Sequence, residues 1–458
     1  MRIKVLLIFI VSIVFMSGCS MAPKMKVPKT QLPSMQKDIL VNRVWWEQFH
    51  DENLNRYIHE ALKNNDDFKL AVVNVEKARL LYGLSKADMY PQINLGADAS
   101  RQKKSIHSFP GFFGGTYNNF GISASVAYEL DFWAKVLNQK KSNLASLLAT
   151  DANKEVFRIS LITDVATSYF NLVAINEQLK VAHDSLKSYQ ESYEYRKVQL
   201  KHGVIDELVV AQVKAQVASV KTQIQTIKLN KVKAESALNL LLGRTPKEIF
   251  EKILETSKNL PESIAIPSGL PASLLQRRPD IKAAEEVLRS KTALIGVARA
   301  AYFPTISLTG NLGYQSQKFN NLISSGSETW GFGPVINFPL LDFGRISSTV
   351  KVSEADQKAA IISYEKTVKN AYKEVYESLE SIHIAKLKHL SVFEEMNAYH
   401  NAYLISKKKF ERGSTSYLDV LSAKNALLNA KLRYISTQLQ LLSDEATLYK
   451  TLGGGWID

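Results

Sequence analysis

The sequence reads as a mainly α chain with a membrane β part, assembled from two copies of one half-molecule. Three observations lead there. The first is that the chain says nearly everything twice. Asp67, Phe68, Ala71, Ala87, Tyr90-Pro91, Ile93 and Leu95 return 213 residues later as Asp280, Ile281, Ala284, Ala300, Phe303-Pro304, Ile306 and Leu308. With small slips, Leu130-Asp131-Phe132 returns as Leu341-Asp342-Phe343, Gly203 with Leu208 as Gly413 with Leu418, and Leu242-Gly243 as Leu452-Gly453. Solenoid units run about 20–50 residues, so this period marks a duplicated half instead. The second is a set of four segments that alternate apolar and polar residues. The third is a pair of long runs, Phe132 to His202 and Arg345 to Arg412, that contain no Gly and no Pro.

The elements follow in chain order. Arg2 and Lys4 precede an apolar stretch from Val5 to Met16. That stretch is too short to span a bilayer and long enough for a signal peptide, so residues 1–18 are assigned to one. It ends in Ser17-Gly18-Cys19, and Cys19 is the only cysteine of the chain. Residues 19–50 form a Pro- and Lys-rich strap. The first repeat is assigned to 51–243, opening with a helical pattern from about 51 to 89. Tyr90-Pro91 stops it, because the residue before Pro is pushed out of the helical region. A β-hairpin follows at about 92–130. Ile93, Leu95, Ala97 and Ala99 share one face there, and Asn94, Asp98 and Ser100 the other. Its second strand alternates Phe120, Ile122, Ala124, Val126, Tyr128 and Leu130 with polar residues, after a loop rich in Gly and aromatics (Phe109 to Gly115).

A long helical hairpin at 132–242 completes this half. At 1.5 Å per residue its first arm is roughly 100 Å long, beyond the span of one compact globule. Gly203 sits at its turn. Val210, Val213, Val217, Val220, Ile224 and Ile227 step by three or four residues, the spacing of a coiled-coil seam. A Pro-rich linker occupies 244–278. The second repeat, 279–453, repeats the plan: a helix, a hairpin at about 305–341, and a helical hairpin at 345–452 that turns at Gly413. Leu428, Leu432, Ile435, Leu439 and Leu442 mark its seam. Residues 454–458, after Gly453, are read as a tail.

The composition narrows the function. The formal charge is +14, but the basic residues are spread along the chain and accompany no nucleic-acid motif, so no nucleic-acid partner is expected. The eight His are scattered, with no His-Glu-x-x-His and no phosphate-binding Gly-rich loop, so neither an enzyme nor a metal or other cofactor site is expected. After residue 20 no run of 18 apolar residues occurs. Strands with one apolar and one polar face suit a membrane barrel instead. Lipid cannot satisfy free strand edges, so a barrel must close, and single-chain bacterial barrels use at least eight strands. Four strands per chain cannot close. Two copies would supply eight and three would supply twelve. Tyr90, Tyr117, Trp133, Phe303, Trp330 and Phe343 flank the strands where interfacial aromatic girdles occur.

Four motifs in order carry a family resemblance: LLQRRPDIKAAE (274–285), FPTISLTG (303–310), the stretch from Trp330 to Arg345 ending in FPLLDFGR, and GSTSYLDVLSAKNALLNAK (413–431). In these the chain resembles the TolC-like outer-membrane efflux factors, in their OprM-like lipoprotein branch. The resemblance implies a homotrimer with a twelve-stranded outer-membrane β-barrel continuous with a long periplasmic α-helical barrel. It also implies a periplasmic membrane-fusion adaptor and an inner-membrane RND-type pump as partners, with export of drugs and other small molecules. Ser17-Gly18-Cys19 resembles a lipobox, which would place diacylglycerol and an N-acyl lipid on Cys19 and anchor the chain in outer-membrane lipid. In this family an Asp six residues past the second tip glycine narrows the periplasmic end. That position is Asp419, and three such carboxylates around an axis would repel one another and raise their pKa or attract a cation. Some members carry a second Asp three residues on, where this chain has Ser422. Asp206 and Glu207 are further aperture candidates, and the tips at Gly203 and Gly413 are the implied adaptor contacts. Two other readings stay open on sequence: an exit duct for secreted polypeptides, as in type I secretion, and a periplasmic coiled-coil lipoprotein with no channel.

Overall fold

The computed structural model describes residues 20–28, 43–105, 107, 115–264 and 277–455. The signal segment 1–18, Cys19, strap residues 29–42, the aromatic loop at 108–114, linker residues 265–276 and the last three residues lie outside the described set.

A short 3-10 turn at Trp45–Phe49 leads into α1 (Glu52–Asn64) and α2 (Asp66–Ala87). Strands β1 (Gln92–Lys104) and β2 (Gly115–Leu130) follow, then helices α3 (Lys135–Lys201) and α4 (Glu207–Leu241). After the short helix α5 (Pro246–Glu251) the plan repeats as α6 (Pro279–Ala300), β3 (Thr305–Ser316), β4 (Glu328–Asn337), α7 (Arg345–Glu411) and α8 (Tyr417–Thr451). The halves agree in length: α3 and α7 each have 67 residues, and α4 and α8 each have 35.

Three sequence readings shift at this level. The helical pattern of 51–89 is two helices. Asn65 breaks it by adopting an extended backbone and turning its side-chain oxygen onto the Phe68 N–H at 2.9 Å, the competition that makes Asn a cap and not a helix interior. The last strand ends at Asn337, short of Phe338 and Leu340, since Pro339 has no N–H to continue the ladder. Gly454, read from the sequence as tail, is packed in place, as is Gly453 before it. Both are buried at positive φ, and a Cβ on Gly454 would lie 2.5 Å from Ile159 Cγ1.

The chain divides into two compact units. The first comprises the described residues within 1–29, 74–151 and 283–365 and holds the sheet, an antiparallel meander in the order β1-β2-β3-β4. Asp131 and Asp342, equivalent in the two halves, start the long helices. Asp131 accepts from the N–H groups of Val136 (3.1 Å) and Leu137 (2.8 Å), and Asp342 accepts from Ile346 (2.7 Å). Trp133 stacks on Phe303 at 4.4 Å and donates to the Pro304 carbonyl at 2.9 Å.

The second unit comprises the described residues within 30–73, 152–282 and 366–458. Its core contains an aromatic cluster: Trp45 stacks on Tyr449 at 4.8 Å, and Phe49 meets Phe170 edge-on at 5.0 Å. Asp51 caps α1 through the N–H groups of Asn53 and Leu54, and accepts from Tyr169 Oη (2.8 Å) and Ser257 Oγ (2.7 Å). Burial pushes the Tyr169 hydroxyl up to about 12. The linker is held by carboxylates. Glu445, fully buried on α8, accepts from Ser263 Oγ and from the Ile264 N–H, and burial raises its pKa.

The duplication persists in individual hydrogen bonds. Asn65 and Arg278 are equivalent positions. Asn65 Nδ2 donates to the Leu241 carbonyl at the end of α4 (2.9 Å), and Arg278 Nη1 donates to the Thr451 carbonyl at the end of α8 (2.7 Å). Each caps a helix end whose carbonyls lack intrahelical partners. Arg278 also grips Asp280 and, at 2.7 Å, Glu374. The first half obtains the same charge pairing from Arg244, which binds Glu60 at 2.8 and 3.1 Å and holds that carboxyl below its ordinary value against the cost of burial.

Removing the buried Arg278 guanidinium takes the donor from a helix-end carbonyl and the cation from two carboxylates, of which Asp280 keeps the Ile281 N–H at 2.9 Å. Arg278→Ala is therefore expected to cost about 2–3 kcal/mol, discounted because Glu374 is half exposed, and Asn65→Ala about 1–2 kcal/mol. Denaturation midpoints of the two purified variants check the order.

Candidate functional site: an amphipathic sheet and paired helical tips

The sheet's register sorts its side chains onto two faces. One cross-strand row reads Leu95, Ala124, Leu312, Trp330, and another Ile93, Val126, Gly310, Phe332. The intervening row on the opposite face reads Asn94, Ser125, Asn311, Gly331. The apolar face is uncovered: Leu95 is 79% exposed, Trp330 74% and Phe332 86%. So large an open apolar patch requires a nonaqueous neighbour. The strands β1 and β4 end the sheet, so their outer edges have no strand beside them among the described residues. No helix among the described residues is long and apolar enough to cross a membrane.

The helical hairpins end in matched turns. Gly203 and Gly413 have φ of 67° and 71°, the left-handed conformation that closes a helix. The closing bonds match as well: Val204 N–H to the Gln199 carbonyl at 2.9 Å, and Ser414 N–H to the Lys409 carbonyl at 2.8 Å. Past each glycine the return helix is capped. Asp206 is the N-cap of α4 and accepts from the Leu208 N–H at 3.0 Å, while Glu207 is the first residue of that helix and is exposed. Ser416 caps α8 in a capping box with Asp419. Asp419 accepts from Thr415 Oγ1, from Ser416 Oγ at 2.9 Å and from the Ser416 N–H at 3.1 Å.

Those donors hold the exposed Asp419 carboxyl below the ordinary aspartate value. Within one chain the shift is thus opposite to the rise expected for three carboxylates around an axis, because local hydrogen bonds to the anion dominate. Ser422 lies one turn further along α8, exposed.

The two tips touch through residues that the sequence reading did not single out. Arg196 on α3 is 5% exposed, with its guanidinium 3.9 Å from the Tyr417 ring centre and 4.6 Å from that of Phe410. A desolvated cation over aromatic faces is stabilised by about 2 kcal/mol. One hairpin is thereby gripped against the other beside Asp419. Further along α8, Lys424 donates to Ser188 Oγ at 2.7 Å and lies 4.3 Å from the Tyr189 ring centre. Helical spacing marks these positions only as part of a seam. Which hairpin faces which is a tertiary fact, and no local signal could have found the contacts.

Cys19 lies outside the described residues. Among those residues no group of three His, Cys, Asp or Glu is placed to hold a metal ion.

Comparison with known proteins decides the family. Residues 57–244 and 270–454 match the model of the outer membrane efflux protein family. The chain belongs to that family. Among curated relatives it is 30% identical to the probable efflux pump outer membrane protein TtgC of Pseudomonas putida, covering 99% of this chain and 96% of that one. It is also 30% identical to the probable outer membrane lipoprotein SilC of Salmonella typhimurium, over 99% of this chain and all of that one. Among solved structures, the CmeC outer membrane channel of Campylobacter jejuni superposes with a TM-score of 0.91 at 28% identity, covering 96% of this chain and 95% of that one. The open amphipathic sheet is thus that of an outer membrane efflux protein.

Burial pushes the Lys424 ammonium down to about 8, reinforced by Lys407 and opposed by Glu191. Between that value and the ordinary lysine value the unfolded chain binds more protons than the folded one, so stability should rise with pH across that window. Thermal melts between about pH 8 and pH 10 should show the rise, and Lys424→Met should flatten it.

Proposed function

We propose that three copies of this chain pool their sheets into one twelve-stranded outer-membrane barrel, and that their helical hairpins form the wall of a periplasmic tube. The assembly is the exit channel of a tripartite efflux pump, passively conducting drugs and other small molecules out of the periplasm. The observation that carries this reading is the four-stranded sheet with an apolar face, a polar face and two outer edges that have no strand beside them among the described residues. Closing it in lipid takes strands from other copies. Twelve strands leave room for a lumen, whereas an eight-stranded interior is filled by side chains.

The partners follow from the same reading. The tips at Gly203 and Gly413 dock a periplasmic membrane-fusion adaptor, which joins the channel to an inner-membrane RND-type pump. Cys19 carries diacylglycerol and an N-acyl lipid. The relationship to a protein named as an outer membrane lipoprotein supports that anchor. Asp419 narrows the periplasmic end, with Asp206, Glu207 and Ser422 nearby in each copy as secondary candidates. Threefold symmetry gathers three Asp419 carboxylates, whose repulsion works against the local hydrogen bonds and favours a bound cation.

A strain lacking the protein should accumulate more drug than its parent while secreting the same proteins. The purified protein should conduct ions in a planar bilayer, and Asp419→Ala should widen or destabilise the closed end. Unchanged drug accumulation with a depleted secretome would favour a polypeptide duct. Absence of conductance would favour a spacer with no channel.

A further inference from the structure

The polar face of the sheet is almost uncharged. By register it carries Gln92, Asn94, Gly96, Asp98, Ser100, Gln102 and Lys104 on β1, and Ser, Thr, Asn, Gln, Gly and a few other side chains on the remaining strands. Its only ionisable groups among the described strand residues, tyrosine aside, are Asp98, Lys104 and Glu129. Lys104 is the last residue of β1. Glu129 lies at the opposite end of the sheet, paired with Lys135 Nζ at 3.1 Å. Asp98, at the midpoint of β1, is thus the one charge in the interior rows.

Its carboxylate is held in place by amides and not by a cation among the described residues. Asn119 Nδ2 donates to Asp98 Oδ2 at 3.0 Å, and Gln315 Nε2 donates to Asn119 Oδ1 at 2.7 Å. The relay across three strands fixes which end of the Asn119 amide faces the carboxylate. No basic side chain among the described residues forms an ion pair with it, so its charge stays available to the space beyond the face. Opposite Asp98 in the register is Gly121, where a Cβ would lie 2.3 Å from Asp98 Oδ1. The glycine leaves room for the carboxylate to lie down over β2.

The second half-molecule supplies an internal control. The position equivalent to Asp98 is Asn311, which also faces a glycine, Gly331, with its Oδ1 3.0 Å from where a Cβ would stand. The same niche therefore accepts a neutral amide. The fold does not need a charge there, and the first half carries one.

We propose that Asp98 is a charge-selecting residue of the barrel lumen, favouring the passage of cations and cationic substrates over anions. The inference rests on the trimeric-channel reading above. Three copies would set three Asp98 carboxylates at one height around the lumen, and rings of carboxylates select cations in this way. Their field reaches about 10 Å at 0.1 M salt, so the selectivity should strengthen as salt is lowered.

The test is the reversal potential of the full-length protein in a planar bilayer under a low-salt KCl gradient. Asp98→Asn installs the residue that the second half already tolerates in the same geometry, so the assembly is retained. The ratio of potassium to chloride permeability should fall toward unity. Asn311→Asp adds a second ring and should raise the ratio. Conductance with a reversal potential that neither substitution moves would overturn the inference and leave the channel reading standing. A bilayer with no conductance would overturn both.

Discussion

In the hydrocarbon of a membrane nothing but protein can satisfy a backbone N–H or C=O. That constraint organises everything else here. The chain supplies four strands, an apolar face wide enough to meet lipid, and two outer edges with no strand beside them among the described residues. A single copy in lipid would leave both edges unpaired, each group costing several kcal/mol. Water would not tolerate Trp330 and Phe332 on the open face. Both demands are met when β1 of one copy pairs with β4 of the next. Oligomerisation is then a condition of membrane insertion and not an addition to a finished monomer.

The duplication shows where the halves are constrained and where they are free. Asn65 and Arg278 differ chemically yet cap equivalent helix ends, so the cap is what the fold requires and the residue type is not. The tip glycines, their closing bonds and the Asp131 and Asp342 caps are kept in kind. The halves part on the sheet's polar face and where one hairpin meets the other. Arg196, gripping Tyr417 and Phe410, corresponds to Ser406, and Asp98 corresponds to Asn311. At these points the architecture is duplicated and the chemistry is not.

Much of this was legible in the sequence because it is periodic. Alternation along Ile93 to Ala99 and Phe120 to Leu130 reports strand and face together. The absence of Gly and Pro from 132 to 202 reports a helix, and Gly203 its end. Local competition hid the break at Asn65, whose role depends on a carbonyl 176 residues away. The burial of Gly453 and Gly454 was hidden because Gly-Gly-Gly reads as flexible until a partner, here Ile159 and Arg278, is placed against it. At the tips, Asp419 was identified through family resemblance, but its capping box could be read only once Ser416 was seen as the helix cap. Arg196 and Lys424 depend on which helices pack together, which no local pattern encodes.

The central claim is that β1 of one copy pairs with β4 of another. Cysteines scanned along β1 against cysteines scanned along β4, in full-length protein oxidised in its native membrane, test it directly. The account predicts a ladder of disulfide-linked chains that stops at three, with efficiency alternating along each strand as side chains switch faces. Cross-links confined to single chains, or none at any register, would contradict it.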